Sequence, residues 1–384
     1  MPSLFSPDRI RFDRHELAGA FGDIGTDLPL LIGLIAICGL DAASVCILFG
    51  TLQVATGIYY GMPMPVQPLK AMAATMLAHK LSAGTLAGGG LVIGAVMLLL
   101  ALTGMLGWLA RAVPREVVRG IQVGLGLTLA TLALRDYVPA DGRPGYVLAG
   151  VGIALLLVLR RQHRVPGALV VIALGVVYAV ATKLDVAQVL AGVGLGVPKL
   201  VVPTQAELVS GALLLALPQI PLSLGNSVIA TSQATADLFA DRPVPVRRIG
   251  ITYGLMNLIA SWFGGVPVCH GCGGLLGFYG FGARTGGAAI LYGCLYLTLG
   301  LAFAPGFAAV VQVFPMPVLG VVLLVEAVAL MAMVRDVATD RRKLGVAVAV
   351  AAAVVAVPNG YAVGLVAGTL LAWLLRRRAA SEGP

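Results

Sequence analysis

Charged residues are scarce in this sequence. Only 11% of its 384 residues are charged, against roughly 25% in an ordinary soluble domain, while 59% are hydrophobic and the mean hydropathy is +0.96. Long apolar runs, such as 91–109 and 344–357, are typical of helices that face lipid or other helices. This composition argues against a soluble enzyme and predicts an all-α integral membrane protein.

Aromatic residues and cysteines are also few, and each shortage argues against a function. The net charge of +9 would suit nucleic acid, but the basic clusters lack the aromatic side chains on which bases stack. The five cysteines show no disulfide spacing, and Cys269, His270 and Cys272 supply too few ligands for a zinc site. We expect no nucleic-acid partner, no cofactor and no metal. An intramembrane enzyme or metal-binding protein that uses these three residues is the alternative from another class.

The basic clusters fit a division of the chain into about fourteen transmembrane segments. If residues 1–15 are cytoplasmic, most of the 26 lysines and arginines fall in cytoplasmic connections, as the positive-inside rule requires. The charged N-terminus does not resemble a cleavable signal peptide. We therefore expect a multi-pass protein of the cell (inner) membrane with both termini in the cytoplasm.

Landmarks in the two halves recur at an offset of about two hundred positions. Pro63 aligns with Pro267, and Pro114 aligns with Pro315. Seven segments in each half would give the halves opposite orientations. The sequence thus predicts a seven-plus-seven inverted repeat, and the alternative is that apolar helices merely look alike.

Two segments interrupt the helical pattern at corresponding places, 61–70 and 264–274. Their prolines and glycines favour extended backbone, followed by half-helices that we expect to begin near Val66 and near His270. Irregular backbone at membrane depth persists only inside protein or beside a cavity. Two such breaks predict a transport site at mid-membrane, where the positive ends of two helices suit an anion.

The two breaks and the eighth segment supply polar groups for that anion. Lys70, expected one turn into the first half-helix, adds a full charge unless it extends to an interface. For His270 the alternative is a buried imidazole with a structural partner. The predicted substrate-binding residues are Gln67, Lys70, Gln219, Ser223, Asn226, His270, Gly271 and Gly273, with Thr75 as a further donor.

Three carboxyl groups lie within predicted spans, where such groups are costly and usually functional. Asp23 and Asp27 are four residues apart on the first segment, and Glu326 stands alone on the twelfth. Asp23 and Asp27 could pair with Lys70, bind a cotransported proton or cation, or cap a helix. Glu326 could carry a proton or pair with another group. A dianion that enters a negative cytoplasm works against about 2.3 kcal/mol per charge per 100 mV, so concentrative uptake needs cotransported cations. We predict that these three residues couple transport to an ion.

Four motifs, at 21–29, 63–71, 219–227 and 267–274, occur in order, and the last is followed by Phe-Gly-Ala-Arg-Thr-Gly-Gly at 281–287. Together they resemble the molybdate transporter family within the sulfate permease (SulP) superfamily, over residues 15 to 375. The resemblance implies a core domain that carries the anion past a gate domain, which often forms a homodimer surface. It also implies that no cytoplasmic STAS-type domain follows.

On this resemblance, the chain divides into six parts. They are a cytoplasmic N-terminus (1–15), core (16–110), gate (111–208), core (209–304), gate (305–378) and a cytoplasmic tail (379–384).

The resemblance and the polar residues predict a secondary active transporter that imports molybdate, and tungstate with it, by proton-coupled, elevator-type alternating access. Its partners would be the oxyanion, protons and the lipid bilayer. A sulfate or other oxyanion transporter of the same fold is the nearest alternative. A nucleobase carrier would favour carboxylates on the eighth segment, which has none.

Overall fold

A computed structural model describes residues 6–159, 167–184, 187, 192–357 and 360–381. The basic cluster at 160–164 and the outer parts of both expected cytoplasmic termini, 1–5 and 382–384, lie outside these ranges. Within them, nearly all regular structure is helical.

The described part of the first half contains nine helices and one short strand. In chain order they are α1 (Arg14–Ala20), α2 (Ile24–Cys38), α3 (Ala42–Tyr60), β1 (Gln67–Pro68), α4 (Lys70–His79), α5 (Ala83–Thr103), α6 (Leu106–Ala112), α7 (Arg115–Tyr137), α8 (Gly142–Leu159) and α9 (Gly167–Thr182).

The described part of the second half contains eight helices and one short strand. They are α10 (Gln205–Leu238), α11 (Val246–Trp262), β2 (Val268–Cys269), α12 (Cys272–Gly280), α13 (Gly287–Ala302), α14 (Ala304–Val313), α15 (Met316–Asp336), α16 (Arg341–Ala356) and α17 (Gly360–Ser381). The long helix α10 contains two π-helical stretches, at 212–216 and 223–229.

Local signals set several helix boundaries. The Asp41 side chain accepts a hydrogen bond from the Ser44 backbone N–H at 2.9 Å and caps α3, which ends at Gly61 with φ of +65°. Thr204 and Glu207 form a capping box at the start of α10. These polar and glycine residues fix where the apolar helices begin and end.

Six described helices are long and apolar enough to cross a membrane, or seven if α1 and α2, bent by 45°, form one span. Three further apolar helices, α9, α13 and α14, have 10–17 residues. The fold is therefore that of a multi-pass helical membrane protein. Helix length alone does not confirm the expected count of about fourteen, because the half-helices and several other helices are shorter than a full span of about 20 residues.

Helices of the two halves pack against each other. α3 lies along α13 and α5 lies along α11, while α7 contacts α15 and α16. A Cβ added to Gly50 would lie 2.6 Å from the carbonyl oxygen of Gly293, and one added to Gly94 would lie 3.0 Å from that of Gly254. Small residues permit this close approach of helix backbones within a membrane.

The two broken segments meet in the structure. Strand β1 pairs with β2 in an antiparallel arrangement, with Gln67 opposite Cys269 and Pro68 opposite Val268. Both strands are buried. The pairing brings the N-termini of α4 and α12 into one region, as two breaks of this kind predict.

Both half-helices begin later than the sequence suggested. The first starts at Lys70 rather than near Val66, and the second starts at Cys272 rather than near His270. Strand pairing and Pro68 keep the preceding backbone extended, because proline restricts the residue before it and cannot donate a helical hydrogen bond. Lys70 is thus the first residue of its helix and not one turn inside it.

Candidate functional site

A cavity of about 260 Å³ lies where the N-termini of α4 and α12 approach α7, α10 and α15. Since one water in the liquid takes about 30 Å³, the cavity has room for a small ion and several waters. Its lining residues are Gln67, Lys70, Gln122, Leu125, Gln219, Leu222, Asn226, Ser227, Cys269, Gly273, Glu326, Ala329, Leu330 and Met333.

The positive charge of the cavity belongs to Lys70, and it is paired. The Lys70 ammonium donates to Oε2 of Glu326 at 2.8 Å, and the Thr26 hydroxyl donates to Oε1 of the same carboxylate at 2.7 Å. The three residues lie on α4, α15 and α2. The sequence suggested Asp23 or Asp27 as the partner of Lys70, whereas the structure shows Glu326 in contact with the lysine.

The N-terminus of α12 faces the cavity without a side-chain cap. Gly271 occupies the capping position, and Gly273 lines the cavity. Among the described residues, the backbone N–H groups of Cys272 and Gly273 have no acceptor. Two free N–H groups and the positive helix end form a site suited to negative charge.

Gly271 also makes room for a neighbouring ligand candidate. A Cβ at Gly271 would lie 1.6 Å from Oε1 of Gln67, so a larger residue would displace that amide. The other end of the amide, Nε2, donates to Oδ1 of Asp23 at 2.8 Å. Gln67 is therefore held between α2 and α12 while it lines the cavity.

The N-terminus of α4 is already occupied. The side-chain oxygen of Gln219 accepts from the backbone N–H of Ala71 at 2.9 Å and of Met72 at 3.3 Å. The Gln219 amide nitrogen donates to Ser223 at 3.1 Å, and the Ser223 hydroxyl bonds to that of Tyr253 at 2.7 Å. Gln219 thus caps α4 at the cavity wall, and Ser223 lies behind it, outside the lining.

Asn226 on α10 presents a free side-chain amide to the cavity. It lines the cavity, and its side chain makes no hydrogen bond to any described residue. A free amide offers two N–H donors to a ligand.

His270 lies outside the cavity lining. Its Nδ1 lies 2.9 Å from the carbonyl oxygen of Pro65, and its Nε2 lies 2.9 Å from the hydroxyl of Thr252. Since a carbonyl can only accept, the neutral ring donates from Nδ1 and accepts from Thr252. This geometry is that of a buried imidazole with structural partners, the alternative considered for His270. Thr75, the further donor expected from the sequence, also lies outside the lining.

No group of three or more His, Cys, Asp or Glu side chains in the described residues could hold a metal ion. Cys269 lines the cavity, whereas the His270 ring is bonded elsewhere. The geometry of this cluster gives no support to a metal site.

The two aspartates of the first segment differ in their contacts. Asp23 is the residue before α2, and its Oδ1 accepts from Gln67. Asp27 is fully buried, and neither of its carboxyl oxygens has a hydrogen-bond partner among the described residues. Asp23 and Glu326 both line a second cavity of about 240 Å³.

Sequence reasoning missed part of the cavity wall. Gln122 is not among the residues that the sequence predicts to bind the anion, yet it lines the cavity, and so does Ser227. Gln122 and Asn226 also line a larger vestibule of about 580 Å³ that extends to Arg115 and Arg119. A buried glutamine in an apolar segment after Pro114 was the available signal for Gln122.

Comparison with known proteins gives the family. The family model described as "Molybdate transporter of MFS superfamily" matches residues 15–129 and 211–330. Molybdate transporter 2 of Arabidopsis thaliana is 32% identical over 409 residues, covering 94% of this chain and 87% of that protein. Molybdate transporter 1 of Chlamydomonas reinhardtii is 29% identical, covering 91% of this chain and 90% of that protein.

Solved structures show the same fold at low identity. The transmembrane domain of the cyanobacterial bicarbonate transporter BicA matches with a TM-score of 0.65 and 17% identity, over 92% of this chain and 99% of that one. The murine Slc26a9 anion transporter in its inward-facing state matches with a TM-score of 0.70 and 14% identity, over 96% and 69%. The chain therefore belongs to the molybdate transporter family and has the SulP/SLC26 membrane fold of these two structures.

Proposed function

We propose that this protein is a secondary active transporter that imports molybdate, and tungstate with it, across the cell (inner) membrane. The observation that carries the proposal is the cavity that gathers the Lys70 ammonium, the free amide of Asn226 and the open N-terminus of α12. All three groups donate hydrogen bonds. Lys70 adds a full positive charge, and the helix N-terminus adds a partial positive charge. The names of the relatives favour molybdate, while sulfate remains the alternative of the same charge and shape.

The proposed architecture is a seven-plus-seven inverted repeat, with the core at 16–110 and 209–304 and the gate at 111–208 and 305–378. In support, each half contains a broken segment with a strand and a half-helix, followed by a helix of 21 or 16 residues and then by one of 7 or 10 residues. In each half a proline, Pro114 or Pro315, then precedes another long helix. Any homodimer contact would be formed by the gate. Residues 1–15 and 379–384 would lie in the cytoplasm.

Charge balance supports proton coupling. The site holds three carboxyl groups (Asp23, Asp27 and Glu326) and one ammonium, so a fully ionised site is net negative before any dianion enters. At an effective dielectric of about 20 and a separation of about 6 Å, one carboxylate and a dianion repel by roughly 5.5 kcal/mol. Protons that enter with the anion would remove this repulsion. Asp27 is the first candidate, because it is buried without a hydrogen-bond partner.

An elevator movement would act on the contacts between α15 and the core helices. The hydrogen bonds of Glu326 to Lys70 and Thr26 both connect the proposed gate to the proposed core. Sliding of the core would break both. The vestibule leads towards Arg115, Arg119 and Arg376, which the positive-inside rule assigns to the cytoplasm, so we assign this conformation to the inward-open side of the cycle.

Uptake into proteoliposomes tests the proposal. Purified protein should accumulate molybdate when the exterior is acidic, and tungstate should compete more effectively than sulfate. Collapse of the pH gradient with a protonophore should abolish accumulation while counterflow exchange persists. Accumulation that ignores the pH gradient would contradict proton coupling, and transport of sulfate in preference to molybdate would move the function to the sulfate alternative.

A further inference from the structure

A buried glutamine on α7 lines the cavity together with the residues of the half-helices. Gln122 is only 3% exposed, yet it lines both the 260 Å³ cavity and the 580 Å³ vestibule. It lies in the proposed gate, whereas the predicted ligands Gln67, Lys70 and Asn226 lie in the proposed core. A polar side chain that is almost fully buried at the junction of two cavities has few partners other than whatever enters them.

The orientation of this amide is set by a neighbouring arginine. Nη1 of Arg119, one turn earlier on α7, donates to Oε1 of Gln122 at 2.9 Å. Arg119 is itself held by Asp336, whose two carboxylate oxygens each accept from Nε at 3.0 Å. Since a guanidinium can only donate, the glutamine must present its carbonyl oxygen to Arg119.

The opposite end of the amide is therefore a free donor. Nε2 of Gln122 makes no hydrogen bond to any residue in the described part of the chain, and it is not sealed from the cavities. An amide whose carbonyl oxygen is turned to Arg119 presents its N–H groups, rather than that oxygen, to a ligand on the other side. Such a group recognises a ligand whose surface consists of acceptor oxygens.

We propose that Gln122 is a binding residue for the tetrahedral oxyanion, which it contacts through Nε2 from the α7 side, and that Arg119 is the positioning residue that holds the amide in this orientation. The inference rests on the proposed function and adds a ligand from the gate to those of the core. The oxyanion would then bridge the two proposed domains in this conformation.

Titration calorimetry with molybdate, at one pH and on purified full-length variants, tests this assignment. Gln122→Met keeps the length and removes the amide, so affinity should fall roughly tenfold or more, the usual loss for a hydrogen bond to a charged ligand. Arg119→Met should also weaken binding. The double variant should match Gln122→Met within about twofold, because Arg119 acts through the glutamine.

Two matched controls separate this role from general effects of charge and packing. Arg115→Met removes a vestibule cation that also pairs with Asp336 but does not contact Gln122, and Gln233→Met removes a vestibule glutamine that instead bonds Asp237. Both should retain affinity within about twofold. If Arg115→Met and Arg119→Met lost molybdate affinity equally, the loss of a positive charge alone would explain the effect of Arg119→Met. That result would overturn the positioning role of Arg119.

If Gln122→Met does not fold, Gln122→Glu provides a second variant that can still accept from Arg119. It replaces the donor by a carboxylate oxygen and should bind molybdate more weakly than the wild type. Wild-type affinity in Gln122→Met or Gln122→Glu would overturn the assignment of Gln122. Absence of oxyanion binding in the wild-type protein would instead overturn the proposed function, so the two failures are distinguishable.

Discussion

Neutralising Glu326 tests the electrostatics of the site most sharply. In the structure this carboxylate holds the Lys70 ammonium at 2.8 Å, so an anion that binds the lysine must compete with it. Glu326→Gln keeps the shape, and its amide oxygen can still accept from Thr26. The change removes one negative charge, which at about 6 Å repels a dianion by roughly 5.5 kcal/mol at an effective dielectric of about 20.

The measurable gain should be smaller than that figure and should depend on pH. At acid pH the wild-type protein can neutralise its carboxyl groups by binding protons, so the two proteins should bind molybdate with similar affinity. At alkaline pH those protons are scarce, and the wild-type affinity should fall. There Glu326→Gln should bind at least tenfold more tightly, a difference of about 1.4 kcal/mol.

In the absence of molybdate, Glu326→Gln should have a lower free energy of unfolding than the wild type. Breaking a buried ion pair by removing one partner costs about 3–5 kcal/mol, and the partial exposure of these side chains, 25% for Lys70 and 15% for Glu326, places the expected cost at the lower end. Molybdate should therefore raise the melting temperature of Glu326→Gln more than that of the wild type. Thr26→Val is the matched control, since it removes the second hydrogen bond of Glu326 without changing charge.

The reasoning would be refuted if Glu326→Gln bound molybdate with the wild-type affinity at every pH. It would also be refuted if Thr26→Val reproduced the effect, because a substitution that leaves every charge in place would then be sufficient to produce it.

Other substitutions test separate parts of the account. Lys70→Ala should weaken molybdate binding at least tenfold through loss of a charge-assisted hydrogen bond, and unchanged affinity in calorimetry would remove the lysine from the site. Asp27→Asn should make proteoliposome uptake insensitive to an imposed pH gradient; an unaltered pH profile would move the coupling to another carboxyl group. Replacing Cys269 and Cys272 together by serine should leave substantial uptake, whereas complete loss would favour the thiol or metal alternative. Gly293→Leu should lower the melting temperature, because even a Cβ there would lie 2.6 Å from a carbonyl oxygen of α3, and a wild-type melting curve would contradict that close packing.

The broken segments show how far sequence patterns reach. Proline and glycine at 61–70 and 264–274 predict extended backbone, and the structure has a buried strand in each segment. The exact starts of the half-helices depend on the pairing of Gln67 with Cys269, a contact between residues about two hundred positions apart. Local patterns carry no information about that pairing, so they predict starts that are two to four residues too early.

The same limit applies to the polar side chains. Residue type marks His270 and Gln219 as donors near an anion. Their actual partners, the carbonyl of Pro65 and the backbone N–H of Ala71, come from the other half of the chain. Gln122 is the opposite case, because it is not among the ligands that the sequence predicts. Only the contact with Arg119 reveals which end of its amide is free.

The most direct measurement is the affinity of the purified protein for molybdate, tungstate and sulfate, by calorimetry across a pH series. The account predicts tight molybdate and tungstate binding that weakens as the pH rises, with sulfate much weaker throughout. Absence of oxyanion binding, or affinity that is independent of pH in the wild-type protein, would contradict a proton-coupled oxyanion site between the two half-helices.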